Sequence, residues 1–313
     1  MSLRVIAPGP VATVQDRGRF GYRAWGVPTS GPFDPASAAI ANAMLGNSSD
    51  CAVVELTGFG GIYEAEMTLA VALAGAPMRA RVDRADGEAH AVTCPATTTL
   101  RAGDRLHLGA AATGYRAYLA VRGGWLVPER MRSRSSETPL VAGQNLPAEP
   151  GEIPDRWTDL GRIEPDELVT IRYIDGPDAD RIEPGALDRC PFRVGRQSDR
   201  MGIRLDGDPI DVEVDPERLS TPVAPGAIQV AGGWPLVLGP AGGTMGGYPH
   251  VGHVISADLG RLGQARPGSD VRFQRVELQE ARRLDGESRK ELARLVLILA
   301  TAVRGVPDRR LNS

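Results

Sequence analysis

Two stretches of the chain carry side chains suited to holding a small polar ligand. Ser198-Asp199-Arg200-Met201-Gly202-Ile203-Arg204-Leu205-Asp206-Gly207 is a charged cluster running into strand-like sequence. Gly242-Gly243-Thr244-Met245-Gly246-Gly247-Tyr248-Pro249-His250 is a glycine-rich turn with one hydroxyl, one phenol and one imidazole. A guanidinium presents a planar fork of donors that matches a carboxylate. Glycines let backbone N–H groups come close to a ligand that a side chain would hold away. The expectation is that both stretches converge on a pocket for a small anionic or amide substrate. Arg200 is then the anion clamp and Tyr248 a pocket hydroxyl, with Ser198, Thr244, Gly246 and Gly247 around them. The competing reading is two surface turns, with Arg200 paired to Asp199 or Asp206. Gln15 and Asp16 either line a cleft or cap a turn.

Other chemistry-bearing residues read as structural. His250 and His253 are three apart, and on a regular strand that spacing sends the two rings to opposite faces. No metal site is therefore expected. Ser198 has no recognisable triad, and no catalytic residue is assigned. Asp34 is most simply a helix cap. Cys51, Cys94 and Cys190 are odd in number, lack zinc spacing, and read as buried apolar fillers in a reducing, cytoplasmic protein.

The elements that must position these residues are short. The chain has 313 residues, 38 glycines, 25 prolines and 5% aromatics, a composition of many turns and brief strands. A formal net charge of -3 gives no reason to expect a nucleic acid or anionic membrane partner. No apolar run is long enough to span a bilayer. One helix stands out early: Asp34-Pro35 opens it, Ala36, Ala39, Ile40, Ala43 and Met44 give its spacing, and Gly46 ends it. Strands are expected at Leu3 to Ile6, Val11 to Val14, Ala52 to Leu56, Met67 to Leu73, Ala89 to Thr93, Arg105 to Leu108 and Tyr115 to Val121. The second half repeats the style, from Leu168 to Ile174 through Phe192 to Val194, Gly202 to Leu205, Ala227 to Val230, Pro235 to Leu238, His253 to Ser256 and Val271 to Val276. The turn before Arg105 has an echo before Val271, a weak sign of duplication. The expected division is 1–129 as one module, 130–160 as a bridge, 161–277 as a second module, and 278–313 as a helix with a frayed tail.

Taken in order, the motifs resemble one family. Val14-Gln15-Asp16-Arg17-Gly18-Arg19-Phe20-Gly21, Gly26-Val27-Pro28-Thr29-Ser30-Gly31-Pro32-Phe33-Asp34 and Ala41-Asn42-Ala43-Met44-Leu45-Gly46-Asn47 match its opening. Glu55-Leu56-Thr57, Ala74-Gly75-Ala76 and Tyr118-Leu119-Ala120-Val121-Arg122-Gly123-Gly124 follow. Ser198 to Gly202, Pro225-Gly226-Ala227-Ile228-Gln229-Val230 and Gly246-Gly247-Tyr248-Pro249 complete it. This is similar to the allophanate hydrolase subunit 2, or biotin-dependent carboxyltransferase, family. That family includes the C-type subunit of bacterial ATP-dependent 5-oxoprolinase and the carboxyltransferase domain of urea carboxylase. The resemblance implies a mainly β protein of two cyclophilin-like β-barrel modules with a few short helices. It also implies a subunit-B-like partner and a larger oxoprolinase subunit, with a small amide or lactam as substrate.

The resemblance also frames the cofactors. Opening a lactam needs an activated amide; ATP can phosphorylate its oxygen before water attacks. The chain has no Walker-type loop, so ATP is expected to be shared with the complex. A carboxyltransferase would use carboxybiotin from another chain, since no Ala-Met-Lys-Met type acceptor occurs here, and would need donors aimed at the ureido oxygen. Relatives usually carry Ala-Asp-x-Gln before the Thr-x-Gly-Gly-Tyr-Pro block, where this chain has Gly239-Pro240-Ala241-Gly242-Gly243. An acid and an amide are missing, which leaves room for a non-catalytic regulatory role, countering a kinase inhibitor.

Overall fold

The computed structural model describes residues 2–163, 168–213 and 217–304. Strands dominate, as composition implies, and they divide between two compact units. One unit contains residues up to Arg17, Pro35–Glu164 and the chain from Lys290; the other contains Gly18–Asp34 and Pro165–Arg289. The tail from 305 onward lies outside the described residues.

The first unit has two six-stranded sheets around one core. One sheet runs Asn145–Pro147, Ser2–Pro8, Phe59–Ala65, Arg105–Ala111, Met78–Asp83, Ala89–Val92. The other runs Arg156–Trp157, Ala96–Leu100, Leu69–Gly75, Arg116–Val121, Val53–Thr57, Val11–Gln15. Alternate residues point inward, so Val54, Leu56, Leu73, Leu119 and Val121 meet Leu3, Tyr63 and Leu108 in the core. On the second sheet's other face lies α1, Pro35–Ala43. Its alanines rest on Ala70, Ala72, Ala74 and Ala120, a contact small side chains make close.

The stretch expected to bridge the halves is built into this unit. The buried Asp16 carboxylate accepts the Ser133 hydroxyl at 2.5 Å, the Ser135 hydroxyl at 2.7 Å and the Arg134 N–H at 2.6 Å. Asn145–Pro147 and Arg156–Trp157 then each join a sheet edge. An acceptor so fully used is a clamp for the loop, which favours the structural reading of Asp16.

The second unit is a closed barrel in the order Leu168–Asp175, His250–Val254, Ala227–Ala231, Trp234–Leu238, Gly202–Asp206, Phe192–Val194, Asp270–Arg275. A parallel pairing of Leu168–Asp175 with Asp270–Arg275 closes it. Val169, Ile171, Tyr173, Ile203, Leu205, Val271 and Phe273 fill the interior. Tyr173 and Phe192 set their rings 5.8 and 6.0 Å from that of Phe273.

A helix absent from the sequence expectation, α2 at Ser256–Gln264, follows the strand His250–Val254. Its buried Asp258 accepts the Arg172 backbone N–H at 2.8 Å and Arg172 Nε and Nη2 at 2.8 and 2.6 Å, fixing the helix to the barrel. Pro249 and the two glycines of α2 obscure this boundary in the sequence. The last helix, α3 at Leu278–Arg304, is the expected one; Leu292, Val296 and Leu299 pack in the first unit beside Ile40 and Met44. Among the described residues no helix is long and apolar enough to cross a membrane.

Candidate functional site

In the second unit the charged stretch meets, backbone to backbone, the segment that leads into the glycine-rich turn. Gly202–Asp206 pairs with Trp234–Leu238, and the loop beyond it continues the contact. Gly239 N donates to Met201 O at 2.9 Å and Ala241 N to Arg200 O at 3.1 Å. The approach leaves no room for side chains. A Cβ on Gly239 would lie 2.3 Å from Arg200 O and 2.9 Å from Phe33 Cε2, and one on Gly242 would lie 2.8 Å from Met201 O.

Each sequence candidate then has a defined place. Arg200 is 6% exposed and donates from Nη2 to the Gly31 carbonyl at 2.7 Å. Asp199 instead caps its own turn, accepting the N–H groups of Met201 and Gly202 at 2.8 and 3.1 Å. Ser198 Oγ staples the same turn to Arg204, accepting its N–H at 3.0 Å. Arg200 thereby anchors the 18–34 segment, which Ser30 N also ties to Pro240 O and Gln264 Nε2 to the Asp34 carboxylate.

The glycine-rich turn presents a different surface. Met245–Gly246 pairs with Thr221–Pro222, Thr244 is buried, and Tyr248 is 53% exposed. Beneath it lies Gln229, a buried amide in the apolar strand Ala227–Ala231, whose Nε2 donates to Tyr248 O at 3.2 Å. A Cβ on Gly246 would sit 2.3 Å from that nitrogen, so glycine there makes space for the amide. Gln229 had a sequence signal, being a polar residue inside an apolar strand pattern. Gln15 belongs to the first unit, buried and donating to Thr13 Oγ1 and Ser136 O, both at 2.9 Å.

Beside the turn stands a group that spacing did not foretell. Arg218 forks onto Asp178 at 2.8 and 2.6 Å, and Asp178 also accepts the His250 N–H at 2.8 Å. Burial opposes ionisation of Asp178, but Arg218, the His250 N–H and Arg181 outweigh it and hold the carboxyl below its usual range. The two histidines depart from expectation. Ala227 pairs with His253 and Ile228 with Gly252, but Gln229 pairs with His250, so Val251 is an extra residue in a bulge. The added residue brings positions three apart to one face. Val251 and Val254 both enter the core, and the rings of His250 and His253 come within 5.6 Å. Burial lowers both imidazole pKa values from the ordinary histidine range.

The cysteine expectation holds only for Cys94, which is buried, its thiol pushed up to about 12 by burial; Cys51 is half-buried and Cys190 exposed. Cys190 stands, with Arg181, Arg189, Glu183, Asp208 and Asp211, around a cavity of about 530 Å³ in the second unit. A shallower hollow of about 550 Å³ in the first unit includes Arg79, Arg81, His107 and Arg162. Neither contains Arg200, Thr244 or Tyr248.

The family model for the carboxyltransferase domain, subdomain A and B, matches residues 25–275, and the chain belongs to that family. It is similar to the C-type subunit of 5-oxoprolinase from Escherichia coli, 34% identical, over 89% of this chain and 93% of that protein. It is also similar to urea amidolyase of Lachancea kluyveri, 29% identical over 90% of this chain but only 17% of the longer protein. Among solved structures, Kluyveromyces lactis urea carboxylase superposes with a TM-score of 0.83 at 25% identity, covering 94% of this chain and 29% of that one.

Proposed function

We propose that the chain is the C-type subunit of an ATP-dependent 5-oxoprolinase-like assembly, contributing a small-amide pocket for lactam opening in the cytoplasm. The observation that carries this reading is the match to a C-type 5-oxoprolinase subunit along 93% of its length. The ligand face is the Gly246-Gly247-Tyr248 turn, with the half-exposed phenol as donor and the turn's N–H groups toward a carboxylate. Thr244 and Gln229 brace that turn from below. Ser198 and Arg200 support it by fixing the neighbouring backbone. ATP is shared with a subunit-B-like partner and a larger oxoprolinase subunit, which supply the phosphorylating chemistry. The test is ATP hydrolysis dependent on 5-oxoproline, measured with the partner subunits in the presence and absence of this chain. Turnover that is the same without it would refute the reading.

The likeness to urea carboxylase favours a second reading, transfer of a carboxyl group from another chain's carboxybiotin to urea or a related amide. Urea-dependent decarboxylation of free carboxybiotin by this chain would select it. The loop 239–243 supports a third, a non-catalytic regulator: Gly239-Pro240-Ala241-Gly242-Gly243 carries no acid or amide, and a side chain at Gly239 or Gly242 would strike the Arg200–Met201 backbone. Inertness in both assays, with retained partner binding, would select that one.

A further inference from the structure

His250 and His253 are not used in the function proposed above. We propose that their imidazoles form a two-nitrogen site for a late first-row divalent metal ion, of the Cu²⁺, Ni²⁺ or Zn²⁺ class. The bulge at Val251 puts both rings on one side of the strand, 5.6 Å apart and inclined at 53°. A metal about 2.0–2.1 Å from one nitrogen of each ring lies roughly 3.2 Å from each ring centre. Two such rings are then about 5.2 Å apart at a tetrahedral angle and about 5.5 Å at a wider one. The observed separation needs only a few tenths of an ångström of adjustment.

Hydrogen bonding leaves the needed lone pairs. His250 Nε2 is buried and has no hydrogen-bond partner among the described residues, while the ring bonds to the Gly252 backbone. The His253 ring bonds to the Pro225 backbone. Each imidazole thus uses a nitrogen on the main chain, as metal-bound histidines do, fixing the tautomer that leaves the other as a donor to metal. Gly226 lets the ring lie close to that main chain, since a Cβ there would be 3.0 Å from His253 Nε2. The neighbouring carboxylate of Asp178 is occupied by the Arg218 fork and the His250 N–H, so it is not a third ligand. Among the described residues no group of three or more His, Cys, Asp and Glu is placed to hold a metal. Water would complete the coordination, making the ion exchangeable and copper the tightest binder.

The test uses untagged, metal-stripped protein titrated with Cu²⁺ and read by electron paramagnetic resonance. One bound copper with a two-nitrogen pattern is expected. The two histidines of the first unit serve as controls, since His107 lies 3.0 Å from Asp83 and His90 4.0 Å from Asp155. His90→Ala/His107→Ala should keep the pattern. His250→Gln and His253→Ala should each lose a nitrogen and weaken binding at least tenfold. Wild type without a two-nitrogen signal, single variants that bind unchanged, or loss of binding in the control double variant would each overturn the proposal. Should His253→Ala fail to fold by circular dichroism, the half-buried His250→Gln decides alone. The readout needs no enzymatic activity, so its failure is separate from failure of the proposed function.

Discussion

Asp104 shows how a single carboxylate holds two turns of the first unit. It is buried and accepts from Arg84 Nη1 at 2.6 Å, Arg101 N at 2.7 Å and Ala85 N at 3.1 Å. Burial opposes its ionisation, yet the Arg101 N–H, Arg84 and the Ala85 N–H together lower its pKa. A carboxylate with a depressed folded pKa contributes stability that is present above its unfolded value, about 4, and lost as pH falls through the folded one. Asp104→Asn should cost about 2–3 kcal/mol at pH 7, with the gap from wild type closing below pH about 4. Urea denaturation across pH 3–7 measures both; a gap independent of pH would exclude the ionised clamp. Arg200 is the second residue-scale case. Its guanidinium satisfies the buried Gly31 carbonyl, so Arg200→Ala should lose about 2–3 kcal/mol and lower Tm by roughly 5–10 °C. An unchanged Tm with activity abolished would return Arg200 to the role of substrate clamp. The sequence drew attention to Arg200 through its charge and spacing, but its partner is 169 residues away and carries no side-chain signal. The same is true of Asp178 and Arg218, 40 residues apart.

Elements were legible where local chemistry agreed with tertiary packing. Asp34-Pro35, the alanine spacing and Gly46 mark α1 because each acts within the helix itself. Phe192–Val194 and Leu168–Asp175 were legible because the barrel buries alternate residues. Phe59–Ala65 and Ala96–Leu100 were not among the expected strands: the first carries Gly60-Gly61 near its start, and the second is a run of threonines whose hydroxyls bond the 153–154 backbone. The bulge at Val251 left no mark, since an extra residue shows only against its partner strand. The turn ladder Met245–Gly246 depends on such an unseen contact, with Gln229 under Gly246. Gly246→Ala should push the amide aside and release Tyr248 O. The expected result is a several-fold rise in KM for the small amide in the reconstituted assembly, with stability lowered by about 1 kcal/mol or less. A normal KM would remove the turn from the ligand face.

At the scale of the molecule, the apolar residues left outside the cores need an explanation. Trp25 is 77% exposed and Phe20 67%, both on the Gly18–Asp34 segment of the second unit. Trp25 touches only the edge of Tyr22 among aromatic rings in the described residues, at 5.8 Å. The segment is nonetheless held in place: Arg23 Nη2 donates to Val223 O, and Val223 N bonds Thr244 O beneath the glycine-rich turn. A fixed backbone presenting wet aromatics is what a partner's pocket uses, because little ordering entropy remains to be lost on docking. Scattered single apolar residues would need no such account, but two aromatics five positions apart on an anchored loop do. Trp25→Ala should therefore leave stability within about 0.5 kcal/mol, since the ring buries little in the free chain. It should weaken association with the proposed subunit-B-like partner by about 2 kcal/mol, roughly thirtyfold in Kd. Calorimetric titration of the partner with wild-type and variant chains reads the difference. An unchanged Kd would place the partner elsewhere, and a large loss of Tm would show the ring to be part of the fold.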